Sequence, residues 1–445
     1  MRDRFARCLG VACIALIALT VFARPSGAVQ IRPVTADGIE AWLVEDHANP
    51  IIAVRIAFRG AGAAVDPVDK GGLARMTAAL LDEGAGDLDS QAFQGRLEDL
   101  AIRLGFDADL DNFSGSFETL TANRDVAFEL MRLALTRPRF DPEAVMRIRS
   151  QLEASLRNEA EDPDWVANQQ LWATMFPDHP YGRPVEGTPE SLPRIDRESL
   201  VRFAAERLAR DRMVVGVVGD ITPAQLAPLL TTTFGPLPAR SVPSYVADVH
   251  PNANGAAAVV DMDVPQSAVS FAQAGLKRDD PQFYTLKVLN QILGGGGLTS
   301  RLSDEAREKR GLVYSVYTSP VPLDHAALIL GGAGTTNERV AETVEVIRDQ
   351  WRRLATGGIT EAELADSKTY LTGSFPLSFS GSSRLAGLLV SIQLENLGID
   401  YLDRRNELIA AVTHDDVNRL ARDLLTPDKL ALVVVGRPKG ELPAR

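Results

Sequence analysis

The chain has 445 residues, 45% of them hydrophobic and 24% charged, and its 59 acidic against 47 basic side chains give a net charge of −12. That balance argues against a nucleic-acid partner, which needs a basic face. The two cysteines, Cys8 and Cys13, both lie near the N-terminus, so disulfides and thiolate chemistry are excluded from the rest of the chain.

Residues 1–28 read as a secretory signal peptide. MRDRFAR is its basic start, Cys8 to Ala23 its apolar core, and Ser26-Gly27-Ala28 its small-residue cleavage site. An apolar run of about 16 residues is short for a membrane span. The expectation is a periplasmic or secreted protein, with no stable membrane association once the signal is removed. The segment holds four arginines and one aspartate, so the remainder is more acidic still. An acidic cleft suits basic or unfolded peptides.

The roughly 417 residues that follow are too many for one core, and internal repetition divides them in two. VRIAFRGAG, from Val54, pairs with VSFAQAGLK, from Val269. KGGLARMTAALL, from Lys70, pairs with the helix around FYTLKVLNQIL, from Phe283. FDPEAVMRIRSQL pairs with ITEAELADSKTYL at an offset of 219. IDRESLVRFAAERLARDRMVVGVVG, ending at Gly219, aligns without a gap with VTHDDVNRLARDLLTPDKLALVVVG, ending at Gly436, at an offset of 217. Each member of this last pair is an amphipathic helix, a turn and a buried strand. Runs of strands with segregated helices predict an α+β fold. The division expected is 29–235, a linker at 236–255 and 256–445, each half an antiparallel sheet with helices packed on it. The linker carries Pro236, Pro238, Pro243 and Pro251, a semi-extended composition.

Within the second half, Gly294 to Tyr317 reads GGGGLTSRLSDEAREKRGLVYSVY. Four glycines open it. A polar helix over roughly residues 299–309 follows, with Leu298, Leu302 and Ala306 on one side. Gly311 ends that helix. A strand then alternates, placing Leu312, Tyr314, Val316 and Thr318 on one face. The reversal at Gly311 brings the Arg307 guanidinium and the Tyr314 phenol to one place, two donors aimed at an oxygen.

This stretch resembles the C-terminal half of the insulinase/pitrilysin family of zinc peptidases, above all the two-subunit branch that includes the mitochondrial processing peptidase. Arg307 and Tyr314 match the family's arginine and the tyrosine seven residues on. The resemblance covers essentially the whole chain after residue 28. It implies two homologous domains facing each other across a peptide-sized cavity, with the linker as hinge.

Active members carry an inverted zinc motif, H-x-x-E-H, on the first helix. Two histidines bind zinc and the glutamate activates its water. Here the flanks match in Lys70-Gly71-Gly72-Leu73-Ala74, but Arg75 and Ala79 replace the histidines and Ala78 the glutamate. A further family glutamate ligand falls near Ser155. The five histidines, His47, His179, His250, His325 and His414, include no two within a helical turn; His179 reads as an exposed loop residue.

Other chemistries find no support. The glycine run lacks the Lys-Ser/Thr of a phosphate loop, and there is no G-x-S-x-G elbow. Arg301 reads as a structural contact, Glu305 and Lys309 as an ordinary helix pair, and Phe375 to Ser383 as a connecting segment.

The resemblance therefore implies a non-catalytic, substrate-binding subunit. Gly294, Gly295, Gly296, Gly297, Arg307 and Tyr314 would contact the peptide. No catalytic residue, metal ligand or cofactor is expected in this chain. Zinc is expected in a homologous partner subunit with an intact H-x-x-E-H, acting on a peptide held as an added β-strand. The alternative is a stand-alone peptide-binding or scaffold protein.

Overall fold

The computed structural model describes residues 29–440; the expected signal peptide, 1–28, lies outside them. The first half contains strands β1 (Arg32–Ala36), β2 (Ile39–Glu45), β3 (Ile51–Arg59), β4 (Arg103–Ala108), β5 (Asn112–Leu120) and β6 (Met213–Gly219). Its helices are α1 (Leu73–Ala78), α2 (Ser90–Asp99), α3 (Arg124–Thr136), α4 (Pro142–Glu159), α5 (Pro163–Met175), α6 (Arg197–Arg207) and α7 (Pro223–Phe234). The second half has β7 (Ala257–Asp261), β8 (Gln266–Ala274), β9 (Val313–Pro322), β10 (Ala327–Thr336) and β11 (Ala431–Gly436). Its helices are α8 (Phe283–Asn290), α9 (Val340–Gly357), α10 (Glu361–Gly373), α11 (Ser382–Leu394), α12 (Tyr401–Ala410) and α13 (His414–Leu424).

The sheets run β1-β2-β6-β3-β5-β4 and β7-β11-β8-β10-β9. The α+β architecture with two matching halves is as expected, and β1 is an addition to the first. The sheets are mixed rather than purely antiparallel. β2 lies parallel to β6, and β7 parallel to β11. The late strand of each half enters between strands laid down at the start of that half, and sequence periodicity does not reveal that insertion. Gly219 and Gly436 end these inserted strands with φ of +136° and +145°. A Cβ on Gly219 would lie 2.1 Å from the Ile51 carbonyl oxygen, so only glycine closes the strand there.

Each sheet is covered on one face by helices of its own half. Ile52, Val54, Ile56 and Phe58 of β3 point into that core with Phe128, Leu200 and Leu230. The other face is covered from across the molecule. Helix α11, in the second half of the sequence, lies on β3 and β6, where Leu385, Ala386 and Leu389 meet Trp42, Ala53 and Val218. Helix α5, in the first half, lies on β8 and β11, where Ala167, Leu171 and Met175 meet Ala268, Ala272 and Val433. Small residues on the receiving strands let each helix come close. At Gly216 a Cβ would stand 2.6 Å from the Ala386 carbonyl oxygen. Arg59, at the end of β3, donates to the carbonyls of Gln393 and Leu394 at the C-terminus of α11, where a cation opposes the helix dipole.

The exchange corrects the expectation of a hinge. The linker is extended but pinned. Val242 N–H donates to Glu206 O (2.9 Å), Val249 N–H to His325 O (2.9 Å) and Asn252 N–H to Met175 O (2.8 Å). Among the described residues, no helix is long and apolar enough to cross a membrane.

Leu389 is fully buried in the α11 contact. Leu389→Ala is expected to destabilise the whole chain by about 2–5 kcal/mol. Calorimetry should show one shifted transition. A separate low-temperature transition for one half would contradict the mutual dependence.

Candidate functional site

The stretch from Gly294 to Tyr317 folds differently from a plain helix and strand. A 3₁₀ turn at Gly297–Thr299 precedes a π-helical segment at Ser303–Lys309. Leu302 and Ala306 are buried, but Leu298 faces solvent. Gly311, at φ +56°, ends the segment, and its N–H donates to Arg307 O at 2.9 Å.

β9 then departs from simple alternation. Val313 lies opposite Thr335 and Val316 opposite Ala333, so three steps on β9 match two on β10. This β-bulge at Tyr314–Ser315 turns both Val313 and Val316 inward and Tyr314 outward. Tyr314 is 81% exposed, on the face opposite the one its position predicts. The Arg307 guanidinium lies 5.3 Å from the centre of the Tyr314 ring, within cation–π range. Arg307 is also 3.5 Å from Glu308. β9 is the last strand of its sheet, so among the described residues one backbone edge beside the pair has no strand partner.

The four glycines differ among themselves. Gly294 is buried, and a Cβ there would stand 2.5 Å from Thr318 Oγ1. It is a packing position rather than a contact surface, a correction to its expected role. A Cβ on Gly295 would stand 2.4 Å from Asn290 Nδ2. Gly295 and Gly297 face solvent and Gly296 is half-buried. Arg301 is structural. It binds Glu363 through two nitrogens, at 2.6 and 2.8 Å, and donates to Gly358 O at 2.9 Å. The residues from Phe375 to Ser383 form a 3₁₀ turn, Phe375–Phe379, leading into α11. His179 is half-buried. Its ring accepts from Tyr181 N–H (3.2 Å) and its Nε2 meets Ala247 O (2.9 Å).

The degenerate zinc motif sits on α1. The buried Asp66 carboxylate holds that helix by accepting from Gly72 N–H (3.0 Å) and Ala74 N–H (3.1 Å). Burial drives its pKa up to about 7, against the pull of those two bonds. Arg75 is ion-paired to Asp107 of β4. Ala78 is buried, and Ser155 Oγ donates to Glu159 (3.0 Å). A guanidinium, two methyl groups and a hydroxyl do not make the donor set that zinc requires.

Arg75 and Asp107 also line a cleft of about 630 Å³ at the seam between the halves. Arg59, Asp109, Asp111, Glu186, Asp324 and Glu395 line it too, so six carboxylates face two guanidiniums. Asp111 is raised to about 6, first by burial. It accepts from Tyr181 O–H (2.5 Å) and from Asp324 N–H (3.1 Å), while His325 N–H donates to the Tyr181 oxygen (3.0 Å). The exchanged helices leave this cleft, with room for a few residues, in place of a broad interdomain cavity. Arg307 and Tyr314 do not line it. Sequence reading missed the acidic group, although the run Asp107-Ala108-Asp109-Leu110-Asp111 was its visible signal.

Fold and site together define a peptidase-like protein in which the helix of the metal motif survives without its ligands. Residues 194–371 match the family described as the peptidase M16 inactive domain. A protein of Helicobacter pylori named non-peptidase homolog YmxG is 28% identical over 336 residues, covering 75% of this chain and 77% of the relative. The probable mitochondrial-processing peptidase subunit beta of Schizosaccharomyces pombe is 26% identical, covering 63% of each chain. The crystal structure of a peptidase M16 inactive domain from Pseudomonas fluorescens superposes with a TM-score of 0.86 at 27% identity, covering 94% of this chain and all of the other. Over most of its length the chain is thus similar to the peptidase M16, or insulinase/pitrilysin, family, and residues 194–371 match its inactive-domain model.

The raised Asp66 gives a pH test. Its folded-state pKa lies above its unfolded value, so the native state binds more protons between them. Stability is therefore lost as pH rises towards 7. Asp66→Asn should remove up to about 1.4 kcal/mol per pH unit of that slope between pH 6 and 7, at a constant cost in capping. Melting curves across that range check it. An unchanged slope would assign the titration to another group.

Proposed function

We propose that this chain is the substrate-binding subunit of a two-chain peptidase, with Arg307 and Tyr314 contacting the peptide backbone. The carrying observation is the 5.3 Å cation–π pair beside the unpaired edge of β9. A peptide added along that edge takes its main-chain hydrogen bonds from the strand. The guanidinium and phenol then supply donors to one carbonyl, oriented from the far side of the partner's zinc. Gly295, Gly296 and Gly297 give the backbone room to approach. The partner is a homologous chain with H-x-x-E-H. The mitochondrial-processing relative supports a two-subunit arrangement, and the replacement of every motif ligand supports zinc residing in that partner.

The purified chain is expected to bind no zinc and cleave no peptide. It should raise peptide cleavage when mixed with the homologue of its own organism that carries H-x-x-E-H. Arg307→Ala and Tyr314→Phe should lower that turnover by about 10²–10³. A loss confined to KM would mean ground-state positioning instead. Gel filtration shows first whether the complex is intact. Unchanged cleavage by both variants in an intact complex would favour the scaffold reading, which the name of the Helicobacter relative supports. One zinc per chain in elemental analysis would overturn the division of labour.

The leader at 1–28 supports export to the periplasm or beyond. N-terminal sequencing of the native protein should find Val29, or a residue close to it, first. An intact Met1 in a membrane fraction would speak for an anchor.

A further inference from the structure

Three basic side chains in the second half stand outside any direct ion pair. Lys287 is on the exposed side of α8, Arg278 precedes that helix, and Arg405 is on α12. Among the described residues, none of them has a carboxylate within ion-pair distance. Arg278 donates to the hydroxyls of Tyr284 (2.9 Å) and Tyr401 (3.2 Å) and lies 4.4 Å from the centre of the Phe283 ring. Arg405 lies 4.1 Å over Phe375 and donates to Leu371 O at 2.7 Å. These rings and hydroxyls fix the guanidiniums without cancelling their charge. The Lys287 ammonium has only the Phe283 ring, at 5.8 Å. Its pKa is held below the ordinary lysine value, first by the burial of the ammonium among neighbouring side chains and then by Arg405 and Arg278. Glu395 pulls the other way on Lys287 and is felt by Arg278 too, and it belongs to the lining of the acidic cleft.

The duplication sharpens the contrast. With the two repeated helices set on their buried positions, Lys287 takes the place of Arg75. Arg75 is neutralised by Asp107, whereas Lys287 has no such partner. A cation at that place with no ion-pair partner is complementary to an anion supplied from outside.

We propose that Lys287, Arg278 and Arg405 form a carboxylate-binding subsite, which takes a carboxylate of a bound peptide. The neighbouring cleft selects the ligand class. Its six carboxylates repel phosphates and polyanions. A peptide with a basic group or amine at one point and a carboxylate at another satisfies both regions. This rests on the peptide-binding reading above. The carboxylate comes either from the peptide C-terminus or from an Asp or Glu side chain.

Two measurements separate the possibilities. The first is fluorescence anisotropy with decapeptides of Gly, Ser and Val labelled on a central side chain. One has a free C-terminus, one is its amide, and one is the amide with an internal Glu. The wild-type chain should bind one of the two acidic peptides about tenfold more tightly than the amide, and salt should weaken that preference. The acidic peptide that gains identifies the source. Lys287→Gln, at an exposed position, should abolish the preference and leave binding of the amide unchanged. Equal binding of all three peptides by the wild type would overturn the subsite.

The second measurement is an acetate titration followed by NMR at labelled lysine ammonium groups, with Lys287→Gln assigning the resonance. The Lys287 signal should shift and saturate. No shift would overturn the subsite even where peptides bind. Failure of every peptide to bind, with the acetate shift retained, would instead refute the peptide-binding reading and leave the carboxylate site standing.

Discussion

Each sheet in this protein depends on a helix contributed by the opposite half. Without α11, the face of β3 and β6 that carries Ala53, Ala57 and Val218 would be open to water. Without α5, the face of β8 and β11 that carries Ala268, Ala272 and Val433 would be open. An apolar sheet face must be buried against another layer, so neither half is a complete domain. The exchange is reciprocal because the chain is duplicated. Each half follows its long repeated helix, α4 or α10, with a helix that crosses to the other sheet. The receiving strands are adapted to the crossing by small side chains, and Gly216 is the extreme case.

That constraint shapes the seam. With the halves locked by two helices, the space between them shrinks to a cleft at the loop ends, where chain turns from both halves meet. Those turns are rich in aspartate. Asp111 comes from the turn between β4 and β5, and Asp324 from the turn between β9 and β10. One hydrogen-bonded chain, from His325 N–H through Tyr181 O–H to Asp111, joins them. Burial raises the Asp111 pKa, and this turn contact is the local compensation. The seam is thus a joint with a polar lining, packed on both sides by the exchanged helices. The end of β9 reaches this cleft at Val321 and Pro322, whereas Arg307 and Tyr314 do not line it.

The duplication, the α+β class and the association of Arg307 with Tyr314 were legible in the sequence. The first follows from gapless repetition, the second from the order of elements, and the third from the turn that Gly311 imposes. What escaped were features decided by long-range packing. The alternation of Leu312, Tyr314, Val316 and Thr318 gives no sign of a bulge, because an extra residue in one strand is defined only by its partner strand. Val313 therefore went inward and Tyr314 outward, against the pattern. The parallel pairs escaped for the same reason, since strand order is not a local property. Gly294 read as a peptide-contacting residue, but it is buried where a Cβ would stand 2.5 Å from Thr318 Oγ1. The exchange of α5 and α11 was invisible, because an amphipathic helix does not specify which sheet it covers.

The zinc helix shows how a fold outlasts its chemistry. The position of α1 is set by Asp66 at its start and by the burial of Leu73, Ala74, Met76 and Ala78, none of which depends on a metal. Removing two histidines and a glutamate therefore leaves the helix in place. It does leave Asp107 of β4 close to a vacated cationic position, and Arg75 fills that role. A guanidinium on the seam restores the local charge that a metal would have provided, and it offers no site for water activation. The corresponding helix of the second half, α8, carries a cation at the same place that, among the described residues, has no ion-paired carboxylate. The two repeats thus share a backbone solution and differ in electrostatics: one cation is ion-paired and the other is not. That asymmetry, rather than the loss of zinc, distinguishes the two faces of the molecule chemically.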